Sequence, residues 1–288
     1  MPSSSAGAVP EHPFYAGPDH GPFVIGEGDA AILLVHGFPG TPKEFRPLAA
    51  RLAAAGWVAH GVLLPGFGRE IATLPQRRGQ DWLRAAAREW RALQRRYPLT
   101  ALLGYSFGAT IATALAARWP PACLILIAPW WRFGVPGEFL LPLLRHLIPS
   151  FAPFRRADFR DPRLRAFFAD VAPDLDLDDP AVQQGVREHL TIATPVLDEM
   201  RRLGRQSLRD LTRVHVPTLI LQGRDDQTVP ITATRRLLQW AAGPLHYREL
   251  PGDHHLVRLE TPVGERLVEA ILAELAAARA RQLAGVQG

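Results

Sequence analysis

At 288 residues the chain is long enough for one large domain or two small ones, and 47% hydrophobic against 21% charged residues is the balance of a folded globular protein. The formal net charge of +5 could signal an anionic partner, but Lys43 is the only lysine and the arginines alternate with acids (Arg84, Arg88, Glu89, Arg91; Glu265, Arg266, Glu269), as on solvated helix faces. No basic run is interleaved with aromatics, which excludes nucleic acid as a partner.

Cys123 is the only cysteine, so no intrachain disulfide forms and nothing points to an oxidising compartment. The opening MPSSSAGAVPEHPF has neither the basic start nor the apolar stretch of a signal peptide. No run approaches about 18 apolar residues, the length that spans a membrane. These readings give a cytoplasmic protein without an integral membrane segment.

In chain order, residues 31–35 (AILLV) form a buried-strand run that ends at His36-Gly37. Residues 42–55 follow with helical spacing of Phe45, Leu48, Ala49 and Leu52, and Gly56 stops them. Residues 57–64 are a second strand, closed by Pro65-Gly66. Residues 81–97 are a helix with Trp82, Leu83, Ala86, Trp90 and Leu93 on one face. A third strand (100–103) leads through a turn at Ser106 into a helix at 109–117, and a fourth strand covers 122–128. Strands at 216–222 and 246–250 and a closing helix at 263–280 complete the pattern. Continuously apolar strands alternating with helices predict an α/β architecture, a mostly parallel central sheet with helices on both faces. Residues 129–194 break the rhythm with aromatics, prolines and the acidic run from Asp174 to Asp179, and read as a helical insertion over the sheet's carboxyl edge.

The chemistry gathers at strand ends. Gly104-Tyr105-Ser106-Phe107-Gly108 has the G-x-S-x-G form between a strand and a helix, the context of a strained turn that presents a nucleophilic serine. A serine hydroxyl needs a base and an orienting acid, and both follow in the order acid then histidine. Gly223-Arg224-Asp225-Asp226 comes directly after the fifth strand, and Asp253-His254-His255 directly after the sixth. Chemistry alone leaves Asp225 or Asp226, and His254 or His255. Upstream, His36-Gly37-Phe38-Pro39-Gly40 can aim the Phe38 N–H at the same point as the Phe107 N–H, making an oxyanion hole in which one donor is worth about 3–4 kcal/mol. His36 itself reads as structural. No metal-ligand spacing and no dinucleotide fingerprint occurs, so no cofactor is expected.

HGFPG, GYSFG, PTLILQGRDDQTVP and LPGDHHLVRLE together resemble the α/β-hydrolase superfamily, in its bacterial carboxylesterase and monoacylglycerol-lipase branch, from about Pro22 onward. The resemblance implies the α/β-hydrolase fold, with a core at 22–128 and 195–283, a helical lid at 129–194 and an N-terminal extension at 1–21. It implies Ser106 as nucleophile and Phe38 and Phe107 as oxyanion donors. It favours Asp226 as acid, three residues after the glycine and three before a valine. It favours His255 as base, because Leu259 and Glu260 follow at the family's spacing. Phe107 and Phe67 depart from the residues frequent there and leave the acyl pocket's shape open. Trp130 and Trp131, directly after the fourth strand, are candidate acyl-site walls as well as packing residues. The implied activity is hydrolysis of short- to medium-chain acyl esters by a monomer or homodimer. Monoacylglycerol lipase, thioesterase and serine aminopeptidase use the same machinery, and a non-catalytic ligand-binding homologue would keep the scaffold alone.

Overall fold

The computed structural model describes residues 15 and 17–286, apart from 163, 166, 167, 169–174, 255 and 258. His12, Phe167, Asp174 and His255 lie outside the described residues, as does most of the N-terminal extension.

The apolar runs become strands: β1 (Phe23–Ile25), β2 (Ala30–Val35), β3 (Trp57–Val62), β4 (Leu99–Tyr105) and β5 (Cys123–Ile127), then the two-residue β6 (Ser150–Phe151) and β7 (Ile192–Ala193), then β8 (Thr218–Gly223) and β9 (Leu245–Leu250). Seven of them make one sheet in the order β1-β3-β2-β4-β5-β8-β9, while β6 and β7 pair only with each other. Every pair in the large sheet is parallel except β1 with β3. The antiparallel β1 has no counterpart in the sequence reading, because three residues carry no period.

Alternation along the strands divides the core. Ala31, Leu33 and Val35 of β2, Leu102 of β4, and Leu124 and Leu126 of β5 face one layer. Ala30, Ile32 and Leu34, then Leu103 and Tyr105, then Cys123, Ile125 and Ile127 face the other. This is the two-residue period of a sheet buried on both sides. The second layer holds α1 (Arg46–Ala54) and the closing helix, the first α2 (Gly79–Arg96) and α3 (Phe107–Ala116). Cys123 is buried here, and burial pushes its thiol up to about 12. It is an inert core residue.

Residues 128–217 leave the sheet between β5 and β8. They carry α4 (Leu141–Leu147), α5 (Pro180–His189) and the 18-residue α6 (Thr194–Leu211). A small apolar cluster of Phe159, Phe168, Leu177 and Val186 lies within this segment. Seven of the ten exposed large apolar side chains among the described residues fall between Val135 and Phe151. α6 buries Val196, Met200, Leu203, Ser207 and Leu211, a helical spacing hidden among arginines. After β8 come α7 (Ile231–Leu238) and, after β9, α8 (Pro262–Val286), which runs past the expected end because residues 275–284 (LAAARARQLA) are strong helix formers.

Charge ties α4 to α6. Asp198, 2% exposed, accepts from Arg201 at 2.6 Å and from Arg145 at 2.7 Å. Burial alone would raise the Asp198 acid; the hydrogen bonds from Arg201 and Arg145 outweigh it and hold the carboxyl below its usual range. Asp198→Ala strands the buried Arg201 and is expected to cost about 3 kcal/mol or more of stability. Urea denaturation checks this, and a loss below about 1 kcal/mol would mean the pair is effectively solvated.

Candidate active site

Four loops at the carboxyl ends of the parallel strands meet near Ser106. The serine follows β4 as N-cap of α3, with φ 52° and ψ −120°, a backbone region that costs a non-glycine residue about 1–3 kcal/mol. Its surroundings hold it there. Ser106 N donates to Ile127 O at 2.9 Å, and Ser106 O accepts from Ala109 N at 3.0 Å and from Trp130 N at 3.2 Å. The flanking glycines are required by close approach. A Cβ on Gly104 would come within 2.5 Å of the Gly108 carbonyl oxygen, and one on Gly108 would run into the Val35 carbonyl at the end of β2. Helix α3 therefore starts directly against two strand ends. Phe107 N–H lies in its first turn, where the helix supplies no acceptor.

The loop after β2 lies against Ser106: a Cβ on Gly37 would be 3.2 Å from Ser106 Cβ. His36 sets its peptide planes. Leu64 N donates to His36 Nε2 at 3.1 Å, so the ring proton is on Nδ1, which donates to Gly37 O at 2.8 Å. In a trans peptide C=O and N–H point opposite ways, so fixing Gly37 O fixes the direction of Phe38 N–H. Burial pushes the His36 pKa down to about 4, keeping the ring in the neutral form that both bonds need. Tyr15 OH donates to Pro39 O at 2.9 Å, and His20 Nδ1 bonds Thr41 Oγ1 at 2.9 Å, bracing the same loop.

Asp226, 3% exposed, follows β8. Its Oδ1 accepts from Val229 N at 2.7 Å and Thr228 N at 2.9 Å; its Oδ2 accepts from Gln222 Nε2 at 3.0 Å and bonds His254 Nδ1 at 2.8 Å. Four partners fill the carboxylate's acceptor sites and fix its orientation. Asp225 is exposed and ties the two loops together instead, its N–H on Gly252 O at 2.9 Å. The histidine facing Asp226 among the described residues is His254; His255 lies outside them. Tyr105 clamps that histidine, donating from OH to His254 O at 3.0 Å, with ring centroids 5.1 Å apart.

An aromatic chain underlies the site, Phe38 to Phe67 to Trp82 to Phe107 to Trp130 to Phe133, each contact edge-on with centroids 4.9–6.1 Å apart. The unusual Phe67 and Phe107 belong to this chain. So does Trp130, 6% exposed, whose carbonyl accepts from Thr110 Oγ1. Trp131 donates from its indole to Ala233 O at 3.0 Å. Both tryptophans are engaged in packing. The acidic run is engaged locally too: Asp178 pairs with Arg165 at 2.9 Å, and Asp179 caps α5 through Ala181 N at 2.8 Å.

Sequence reasoning missed Gln222 and Glu44. Gln222 ends an otherwise apolar strand and is fully buried, with Thr234 Oγ1 donating to its Oε1 at 2.6 Å so that Nε2 faces Asp226. A lone amide in an apolar strand was the available signal. Glu44 accepts from Gly37 N at 2.9 Å. Among the described residues no group of three His, Cys, Asp or Glu could hold a metal ion, and no helix is long and apolar enough to cross a membrane.

The profile of the Hydrolase_4 family, described as serine aminopeptidase, S33, matches residues 26–261. A thermostable monoacylglycerol lipase from Bacillus sp. (strain H-257) is 28% identical over 220 residues, 76% of this chain and 79% of the relative. Among solved structures, a lipolytic enzyme of the metagenome-derived pair LipS and LipT superposes with a TM-score of 0.71 at 21% identity, covering 91% of this chain and 98% of that one. The monoacylglycerol lipase of Paleococcus ferrophilus superposes with a TM-score of 0.67 at 19% identity, covering 89% and 98%. The fold is that of the α/β-hydrolases.

His36 makes a pH-dependent contribution that can be isolated. Its pKa is near 6.5 when unfolded and about 4 when folded, so between those values only the unfolded chain takes up the proton. The contribution is complete above about 6.5 and lost as pH falls towards 4. The stability difference between wild type and His36→Asn should therefore shrink by about 3 kcal/mol from pH 7 to pH 4. A difference that does not vary with pH in urea denaturation would contradict this assignment.

Proposed function

We propose, since the chain belongs to the Hydrolase_4 family (serine aminopeptidase, S33) and is a serine hydrolase, that it hydrolyses short- to medium-chain acyl esters through Ser106, Asp226 and a base from the His254–His255 tandem. The observation that carries this reading is the convergence on one sheet edge of a serine in the strained elbow and a buried Asp226–His254 pair.

The base, oriented by Asp226, takes the Ser106 proton as Oγ attacks the ester carbonyl. The Phe38 and Phe107 N–H groups hold the oxyanion, and the N-terminal end of α3 adds its positive pole. The imidazolium then protonates the leaving alcohol. Water, deprotonated by the same ring, hydrolyses the acyl-enzyme and returns Ser106. The family spacing of Leu259 and Glu260 selects His255 as the ring; a second reading, carried by the 2.8 Å bond to Asp226, selects His254.

Residues 129–194 serve as a lid in this account. The segment leaves β5 beside Ser106 and exposes apolar side chains suited to an uncharged acyl ester. An ester is favoured over a peptide because a free terminal amine would want an acidic anchor, and Asp178 and Asp179 are engaged in an ion pair and a helix cap.

Turnover of p-nitrophenyl esters from acetate to palmitate should peak at short or middle chain lengths and fall by about 10⁴-fold or more in Ser106→Ala. Turnover that survives in the variant would remove Ser106 from the chemistry. His254→Ala and His255→Ala, assayed separately, identify the base as the one whose loss lowers kcat about 10³-fold or more. If both retain wild-type kcat, the base lies elsewhere.

A further inference from the structure

Glu44 has no part in the steps above, yet its carboxyl is built into the loop that carries an oxyanion donor. It lies in the 3-10 turn Pro42–Phe45 that follows the loop, and its backbone N–H closes that turn on Thr41 O at 3.2 Å. The side chain folds back into the concave side of residues 37–40. Oε1 accepts from Gly37 N at 2.9 Å, and Oε2 lies where a Cβ on Gly40 would come within 2.5 Å of it. His36 and Glu44 thus hold consecutive peptide groups. Glu44 fixes the N–H of the His36–Gly37 peptide, and His36 fixes the carbonyl of the Gly37–Phe38 peptide.

We propose that Glu44 is a positioning residue for the oxyanion hole, its carboxyl oxygen locking Gly37 so that Phe38 N–H faces the carbon–oxygen bond attacked by Ser106. The proposal rests on the serine-hydrolase reading above. The role needs an acceptor oxygen and no charge. Burial pushes the Glu44 acid up to about 7, against the smaller opposing effects of the Gly37 hydrogen bond and of His254. A neutral carboxyl still accepts from Gly37 while setting no full negative charge beside a developing oxyanion. Acylation and deacylation each form a tetrahedral oxyanion in the same hole, so both depend on Glu44.

Glutamine keeps the acceptor, whereas methionine fills the volume without one. Glu44→Gln should hold kcat within about threefold of wild type, and Glu44→Met should lose about 10- to 100-fold in kcat with KM within about twofold. Glu44→Ala is the second acceptor-free variant if the methionine does not fold, and thermal melts establish which variants are native. The rate of phosphonylation of Ser106 by a fluorophosphonate gives the same comparison without any ester, and the same ordering is expected. A wild type that is phosphonylated but turns over no ester would overturn the ester reading alone. A glutamine variant as slow as the methionine one, an acceptor-free variant with wild-type kcat, or a loss confined to KM would overturn the role of Glu44.

Discussion

The site depends on how closely three pieces of backbone can approach. The end of β2, the end of β4 and the first turn of α3 meet with no room for a side chain at Gly104 or Gly108. That approach forces Ser106 into its strained conformation, puts the α3 N-terminus beneath it and brings the β2 loop against it. The strain is carried by the parallel ladder on both sides, with β4 paired to β2 and to β5 along its length. A loop could not hold it. Rigid elements over-determine one residue, Ser106, which is 5% exposed.

Polar atoms are distributed in the same spirit. Each polar group of the candidate site is held by a second one. Gln222 and two backbone N–H groups orient Asp226, Tyr105 orients His254, and His36 orients the Phe38 peptide. Such supporting hydrogen bonds are buried, so each unmade one would cost more than a surface bond contributes. The aromatic chain from Phe38 to Phe133 joins Phe38 and Phe107 to the start of the insertion through packing alone. A volume change at Phe67 or Trp82 is therefore felt at both Phe38 and Phe107.

Much of this was legible in the sequence. The buried strands announced themselves as apolar runs, and their carboxyl ends bore the glycine-serine, acid and histidine motifs in order. Of the two aspartates the sequence offered, Asp226 is buried and bonds His254 Nδ1, and Asp225 is exposed. The acidic run at Asp178 and Asp179, readable as an anchor, is spent on an ion pair and a cap. What could not be read was any partnership across the sheet. Tyr105 and His254 are 149 residues apart, and Gln222 reaches Asp226 because the turn after β8 folds back towards the strand end. Glu44 falls within residues 42–55, read as a helix, and lies off their apolar face, so nothing in the sequence distinguishes it from a solvated acid; the structure makes Pro42–Phe45 a 3-10 turn instead. Three-residue β1 is too short to show alternation, and the apolar stripe of α6 is masked by the arginines between its members.

The most direct measurement is the mass of the protein after reaction with a fluorophosphonate, followed by mapping of the modified peptide. The account predicts a single adduct on Ser106, formed by the wild type and absent from Ser106→Ala. A wild type that stays unmodified, or an adduct on any other residue, would contradict the claim that this elbow presents an activated serine.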